Sequence, residues 1–197
     1  MLARRYTSTA DYLAHDLASD GKNEFWDGDI LAMAGALPNH NIITINLGGR
    51  LQAQLAPRGC RTYSADQRVR LGDLRYVYPD LTALCQPPEY TDESPPSLIN
   101  PALLVEISSP STERRDRREK LEAYTDLPSL YVYWIVETDR PMVTCYERQG
   151  DMWTVRLVHG LDATAESTAL DLAVPLAEIY MLVEWPADDA PEAESEA

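Results

Sequence analysis

The sequence contains no apolar run that approaches the roughly 20 residues needed to span a bilayer, which argues against a membrane segment. Its first six residues also lack the apolar stretch of a signal peptide. It has only three cysteines, Cys60, Cys85 and Cys145, and no CxxC spacing. This odd number and wide spacing argue against a zinc site and against a disulfide framework. We therefore predict a reduced, cytoplasmic protein.

Basic residues are also scarce: 17 Lys and Arg stand against 32 Asp and Glu, and the net charge is −15. This acidic balance argues against a protein that coats nucleic acid non-specifically. Five of the acids lie in residues 187–197, which hold no base and no apolar anchor, so we predict a disordered tail there. Residues 1–186 are predicted to form one domain, because they suffice for one core and contain no linker.

Two short apolar runs, residues 102–107 and 131–137, flank a charged, helix-like segment at residues 111–124. Apolar runs bounded by Pro and Ser are typical of buried strands, and the order strand, helix, strand favours two parallel strands. We therefore predict an α/β fold. The other predicted elements are a helix from Ser8 or Thr9 to about Ala18, a hairpin at Asp27-Gly28, a helix capped by Asn39 and ending near Gln54, strands at 61–64, 67–71, 77–84, 142–148 and 152–158, and a closing strand and helix between 170 and 182.

Three charged residues within or beside apolar segments are candidates for chemistry. Asp80 follows Pro79 at the start of a predicted strand, Glu106 has only apolar neighbours in its strand, and Lys120 borders the apolar side of the following helix. A buried carboxylate is costly to desolvate unless a metal ion or a basic side chain pairs with it. Adjacent strands can place Asp80 beside Glu106, and their oxygen ligands suit Mg²⁺ or Mn²⁺. Two acids, a metal and a lysine could hydrolyse a phosphodiester.

Each of these residues also has an ordinary structural interpretation. Asp80 could end a turn, and Glu106 could be a strand residue whose carboxylate reaches solvent. Lys120 could be a solvated residue on a charged helix, His40 a cap or core partner, and Glu24 a plain hairpin residue. Residue patterns alone leave these alternatives open.

Several segments resemble the Uma2 family of endonuclease-like proteins, within the PD-(D/E)XK restriction-endonuclease-like superfamily. The resemblance covers roughly residues 7 to 185. The matching segments are residues 24–30, 38–40, 78–81, 104–112, 116, 119–121, 124 and 133–136. The part from Glu106 to Trp134 is the most specific, since Pro79-Asp80 alone would mean little.

The resemblance implies a restriction-endonuclease-like core: a central mixed β-sheet flanked by helices, with an N-terminal β-hairpin extension. It implies that Asp80 and Glu106 hold Mg²⁺ or Mn²⁺, and that Glu24 and His40 complete the pocket. Ser108 stands where the superfamily usually has its lysine, and Lys120 on the helix is the matching position.

The leading hypothesis from the sequence is metal-dependent cleavage of DNA. Its phosphate contacts would come from the cluster of helical arginines, which are Arg114, Arg115, Arg117 and Arg118. A homodimer is a further hypothesis, since one site per chain must cut two strands. One alternative is a non-catalytic module that binds nucleic acid or protein and uses Glu106–Lys120 as a structural ion pair. Another is a hydrolase of small phosphate esters.

Overall fold

The structure is a computed structural model that describes residues 7–33, 35–108 and 116–185. The strands are β1 (Asn23–Trp26), β2 (Asp29–Ala32), β3 (Arg61–Ser64), β4 (Val69–Arg70), β5 (Arg75–Val77), β6 (Leu81–Leu84), β7 (Leu103–Ser108), β8 (Val132–Glu137), β9 (Met142–Gln149), β10 (Met152–His159), β11 (Thr164–Ser167) and β12 (Leu172–Pro175). The helices are α1 (Thr9–Ala18), α2 (Pro38–Leu55), α3 (Leu121–Thr125) and α4 (Leu176–Ile179), with a 3₁₀ turn at Ala56–Arg58 and a π-helical turn at Asp116–Lys120. The predicted acidic tail at 187–197 lies outside the described residues.

A six-stranded sheet in the order β10-β9-β8-β7-β6-β3 forms the centre of the molecule. β7 and β8 are parallel, and every other neighbouring pair in this sheet is antiparallel. The predicted strand–helix–strand crossover is therefore confirmed, and the α/β sheet is mixed. None of the helices in the described ranges is long and apolar enough to cross a membrane.

The two faces of this sheet are covered by different helices. Leu81 and Val105 pair across β6 and β7, so they share one face. A Cβ at Gly48 of α2 would lie 3.2 Å from a Leu81 methyl carbon, so glycine lets α2 pack closely on that face. The opposite face carries Tyr133, whose ring lies 4.9 Å from that of Tyr124 in α3. The sheet is thus flanked by helices on both sides.

The predicted N-terminal hairpin is confirmed as β1 and β2, which belong to a second sheet in the order β2-β1-β5-β4. Asp27 and Gly28 both have positive φ, at 50° and 98°. This conformation matches the twist of a two-residue hairpin, and it explains why Asp-Gly stands at the turn. The hairpin brings Glu24, in the middle of β1, towards the six-stranded sheet.

The prediction of one continuous strand at residues 77–84 was wrong. The segment divides into β5, which ends at Val77 in the hairpin sheet, and β6, which begins at Leu81 in the central sheet. Pro79 lies between them and has no backbone N–H to donate to a ladder, so the chain leaves one sheet before it enters the other. Asp80 is therefore held at a junction of two sheets.

The prediction that Asn39 caps α2 was also wrong. Leu37 is the N-cap residue and Pro38 takes the first helical position, where its missing N–H has no intrahelical partner to lose. The Asn39 amide instead donates a 2.8 Å hydrogen bond to the carbonyl of Glu184.

The prediction that the cysteines form no disulfide was wrong, because Cys60 and Cys85 are bonded to each other. β3 and β6 pair antiparallel with Arg61 opposite Leu84, so the two cysteines meet at the next position of the ladder, with Cα atoms 4.0 Å apart. Cys145 is a buried free thiol. The cysteine pattern consequently gives no support to the predicted cytoplasmic location.

Replacing Cys60 and Cys85 together with Ser is expected to lower the free energy of unfolding by about 3 kcal/mol. The bond closes a loop with a sequence separation of 25, and opening it frees the unfolded chain. Urea unfolding with and without dithiothreitol measures the effect: wild type should respond to the reductant and the double variant should not. A Cys145→Ser control should keep the response. A double variant as stable as the oxidised wild type would contradict the prediction.

A buried ionic network anchors α1 beside the junction that carries Asp80. The Arg68 guanidinium lies 2.9 Å from an Asp16 carboxylate oxygen and donates to the Ser97 hydroxyl at 2.8 Å. The Tyr78 hydroxyl donates to the same Asp16 oxygen at 2.6 Å. These bonds fix Tyr78, and with it the junction that carries Asp80, against α1.

Candidate active site

The ammonium group of Lys120 lies among three carboxylates. Its Nζ atom is 2.9 Å from Glu106 Oε2, 3.2 Å from Glu24 Oε1 and 3.6 Å from Asp116 Oδ1. All four side chains are buried, with at most 7% of any of them exposed. They come from β7, β1 and the π-helical turn, so the cluster exists only when the hairpin, the sheet and the helix pack together.

Local geometry explains why these side chains meet. Glu106 points to the α3 face of the sheet, because its neighbours Val105 and Ile107 alternate to the α2 face. Asp116 and Lys120 are four residues apart, which places both on one side of their turn. Lys120 therefore points inward to Glu106, as the sequence predicted.

Two buried tyrosines lie beside the cluster, and only one of them contacts a carboxylate of it. The Tyr124 hydroxyl donates a 2.6 Å hydrogen bond to Glu106 Oε1. The Tyr133 hydroxyl donates at 3.1 Å to the backbone carbonyl of Asp116, and the two rings pack edge to face at 88°. Edge-to-face packing is a favourable arrangement of aromatic rings. The helix that carries Lys120 is thus attached to the sheet on both sides of the lysine.

Asp80 stands opposite Glu106 across the sheet, one ladder position beyond the pair Leu81 and Val105. Its Oδ2 atom accepts a 2.7 Å hydrogen bond from the backbone N–H of Ile107. Its Oδ1 atom is 3.1 Å from Nε2 of His40, a residue in the first turn of α2. The structure therefore brings together all five sequence-predicted residues, in two linked groups: Asp80 with His40, and Glu106 with Lys120 and Glu24.

Electrostatics within the cluster act on Glu106 and Lys120 in opposite ways. Burial raises the pKa of Glu106, Lys120 partly offsets this rise, and the nearby carboxylates of Asp116, Asp80 and Glu24 add to it. Burial disfavours the charged form of Lys120, but Glu106, Glu24 and Asp116 outweigh this and raise its pKa. Lys120 is consequently held protonated. An additional cation beside Glu106 would favour the ionised form of the Glu106 carboxyl group.

The donor chemistry of Asp80 and Glu106 fits a hard divalent cation, since both offer carboxylate oxygens. Within residues 7–33, 35–108 and 116–185, no three His, Cys, Asp or Glu side chains are grouped to hold a metal. The protein would then contribute two carboxylates, and water or substrate phosphate the remaining ligands, as is usual for Mg²⁺. Each bonded carboxylate oxygen retains a second lone pair for such a contact.

The predicted phosphate-binding arginines are only partly described. Arg114 and Arg115 lie outside the described residues. Arg117 forms an ion pair with Glu137 and donates to the Thr144 hydroxyl at 3.2 Å. Arg118 is exposed on the same turn, so of the two described arginines it is the one that faces solvent.

The family model Uma2, described as "Putative restriction endonuclease", matches residues 9–177. The chain belongs to the Uma2 family. Two Synechocystis proteins are similar to it. The uncharacterized protein sll1609 is 30% identical over 161 residues, which cover 81% of this chain and 91% of that protein. The uncharacterized protein slr1290 is 30% identical over 145 residues, 73% of this chain and 75% of that protein.

A crystal structure of a "putative nuclease belonging to DUF820" from Anabaena variabilis shares the fold of this Uma2 chain. The two structures superpose with a TM-score of 0.65 at 17% sequence identity, over 82% of this chain and 91% of the other. The predicted restriction-endonuclease-like architecture and the predicted family are both confirmed.

Two residues of this Uma2 site had no role in the sequence-based hypothesis. Asp116 and Tyr124 stand four residues before and four residues after Lys120, and both contribute to the buried cluster. The spacing was a usable signal, because residues four apart on a helix share one side. It predicts that the side chains of Asp116 and Tyr124 lie on the same buried side of the helix as Lys120.

Proposed function

We propose that this Uma2 protein is a metal-dependent endonuclease that hydrolyses phosphodiester bonds in DNA. The observation that carries the proposal is the contact between Lys120 and Glu106, 2.9 Å apart and buried, with Asp80 at the opposing ladder position. Burying two acids and a lysine from three separate segments has a large desolvation cost, which favours a functional role for them. Membership of the Uma2 family, with its nuclease-related description, supports the same proposal.

In this proposal Asp80 and Glu106 hold Mg²⁺ or Mn²⁺. A bound divalent cation supplies polarisation of a phosphoryl oxygen and a water of lowered pKa. His40 positions Asp80 through the 3.1 Å contact to Oδ1, and the N–H of Ile107 fixes the other carboxylate oxygen. Two fixed oxygens leave Asp80 little rotational freedom.

Lys120 is proposed to stabilise the negative charge that develops on the phosphate, or to orient the attacking water. Its pKa is raised by its acidic neighbours, so it carries the positive charge this role needs. Glu24 holds the ammonium from the hairpin side at 3.2 Å. Exposed Arg118 is placed to contact the DNA backbone, since a guanidinium matches phosphate geometry.

A second candidate is a non-catalytic binding module that uses Glu106 and Lys120 as a structural ion pair. The observation that favours it is that both oxygens of Glu106 and both oxygens of Asp80 already have partners within the chain. In that case the cluster would stabilise the attachment of the hairpin and helix to the sheet and would bind no metal.

Nicking of supercoiled plasmid in Mg²⁺ or Mn²⁺ tests the proposed function. Wild type should cleave with metal and not with EDTA. Asp80→Asn should cleave at least about 100-fold more slowly, because a neutral amide is a poor ligand for a hard cation. Asp151→Asn, which changes an exposed acid in the β9–β10 turn, is the matched control and should cleave like wild type.

The other outcomes separate the alternatives. If wild type cleaves no supercoiled, linear or single-stranded DNA and binds no Mn²⁺, the structural ion pair is favoured. If small phosphodiesters compete effectively with DNA, the substrate is a small ester. Sedimentation of the active protein addresses the proposed homodimer, and a monomer at micromolar concentration would count against it.

A further inference from the structure

Both oxygens of the Glu106 carboxylate are held by donors from one helical segment. Lys120 contacts Oε2 at 2.9 Å, and the Tyr124 hydroxyl donates to Oε1 at 2.6 Å. The two donors are four residues apart, so they reach the carboxylate from successive turns on the same side. Lys120 contributes a positive charge to the Glu106 carboxylate, and Tyr124 contributes a neutral, directional hydrogen bond.

The hydroxyl and the ring of Tyr124 make different contacts, and only the hydroxyl contacts Glu106. The ring is fully buried and packs against Tyr133, a contact that phenylalanine would make equally well. A buried phenol needs a hydrogen-bond acceptor, and here that acceptor is Glu106. The last torsion of a Glu side chain is soft, so a carboxylate without such a donor rotates readily about it. The hydrogen bond to Oε1 therefore sets the plane of the carboxylate.

We infer that Tyr124 is a positioning residue for Glu106, which fixes the carboxylate in the orientation that binds a divalent cation. This inference rests on the proposed function, since it assigns Glu106 as a metal ligand. Hydrogen-bonding partners of metal ligands orient those ligands, and their loss weakens metal binding by about 10- to 100-fold. Tyr124 itself contacts neither metal nor substrate and acts through Glu106.

Tyr124→Phe removes only the hydroxyl and tests the inference. Its matched control is Tyr133→Phe, which removes a hydroxyl of equal burial that is bonded to the Asp116 backbone and not to Glu106. Calorimetric titration with Mn²⁺ alone, without DNA, is the readout. Tyr124→Phe should bind Mn²⁺ about 10- to 100-fold more weakly than wild type, and Tyr133→Phe within about threefold of it. Both variants should lose thermal stability, since each loses one buried hydrogen bond, and Tyr124→Phe should lose the more because its acceptor is a carboxylate.

The Mn²⁺ titration distinguishes failure of this inference from failure of the proposed function. Wild-type Mn²⁺ binding that Tyr124→Phe leaves unchanged, or that both variants weaken equally, overturns the inference and leaves the proposed function standing. Absence of Mn²⁺ binding by wild type overturns both together. If Tyr124→Phe is less stable than wild type, all three proteins are titrated at one temperature below the lowest of their unfolding midpoints, and the same ratios of Mn²⁺ affinity are expected there. Equal Mn²⁺ affinities of the three proteins at that temperature would overturn the inference.

Discussion

Replacing Lys120 with Met is expected to lower the free energy of unfolding by about 3–5 kcal/mol in EDTA. The change leaves the carboxylates of Glu24, Glu106 and Asp116 close together, buried, and without the cation that lies among them. Removing one partner of a buried ion pair has a penalty of this size, because the remaining charge is desolvated and uncompensated. Urea unfolding followed by circular dichroism measures the difference.

Mn²⁺ should restore much of the stability that Lys120→Met loses. A divalent cation held by Asp80 and Glu106 would supply positive charge beside the carboxylates that have lost the ammonium. A ligand that binds only the folded state stabilises it in proportion to the logarithm of its concentration. DNA cleavage should nevertheless be lost, because the variant lacks the ammonium that is proposed to act on the phosphate or the attacking water. The variant would thus be stabilised by metal and inactive.

Lys22→Met is the matched control. Lys22 pairs with Asp66 at 3.0 Å, where the aspartate side chain is 87% exposed, and it also donates to the Ala65 carbonyl at 3.1 Å. An exposed pair contributes at most about 1 kcal/mol and a neutral hydrogen bond about 1 kcal/mol, so this variant should lose less than about 2 kcal/mol of stability. A Lys120→Met protein as stable as wild type would contradict the buried-pair account. A marked loss of stability that Mn²⁺ does not reverse would favour the structural ion pair over a metal site.

Glu106→Gln should abolish cleavage while leaving the fold largely intact. The amide preserves the shape of the side chain and an oxygen that can accept from Tyr124, and Lys120 keeps Glu24 and Asp116 as partners. Burial already raises the pKa of Glu106, so loss of its charge removes a desolvation penalty along with the ion pair. We expect the free energy of unfolding to change by less than about 2 kcal/mol.

The cleavage rate of Glu106→Gln should fall by at least about 1,000-fold. This corresponds to roughly 4 kcal/mol of transition-state stabilisation, within the range that a metal ligand supports. Single-turnover cleavage of labelled DNA gives the rate, and Mn²⁺ titration should show weakened binding. Glu122→Gln, which changes an exposed acid on α3, should behave like wild type in both measurements. Retained cleavage by Glu106→Gln would exclude Glu106 from the proposed chemistry.

The two variants together separate a catalytic cluster from a structural one. In a catalytic site, Lys120→Met loses stability and activity, whereas Glu106→Gln loses activity alone. In a structural ion pair, both substitutions act on stability and neither changes metal binding. Stability and cleavage therefore need to be measured on the same preparations.

Local patterns were sufficient for much of the architecture. Asp27-Gly28 predicted the hairpin because a two-residue turn requires positive φ at both positions, a property of the residues themselves. The apolar runs around residues 111–124 predicted β7 and β8 as a parallel pair, since a helix-length connection returns the chain in the same direction. Glu106 stood out because it is charged within an apolar run, and Lys120 because it borders the apolar side of a charged helix; both features are visible without any partner.

The features that the sequence did not determine all depend on how distant segments align. Cys60 and Cys85 meet because of the register between β3 and β6, which no local pattern encodes. Glu24 joins Lys120 only because the hairpin sheet packs beside the central sheet. The identity of a buried ionisable residue predicts that it needs a partner, but the partner is chosen by packing across the whole fold. The sequence by itself therefore determined which residues are candidates for the site, and the tertiary structure decided which of them touch.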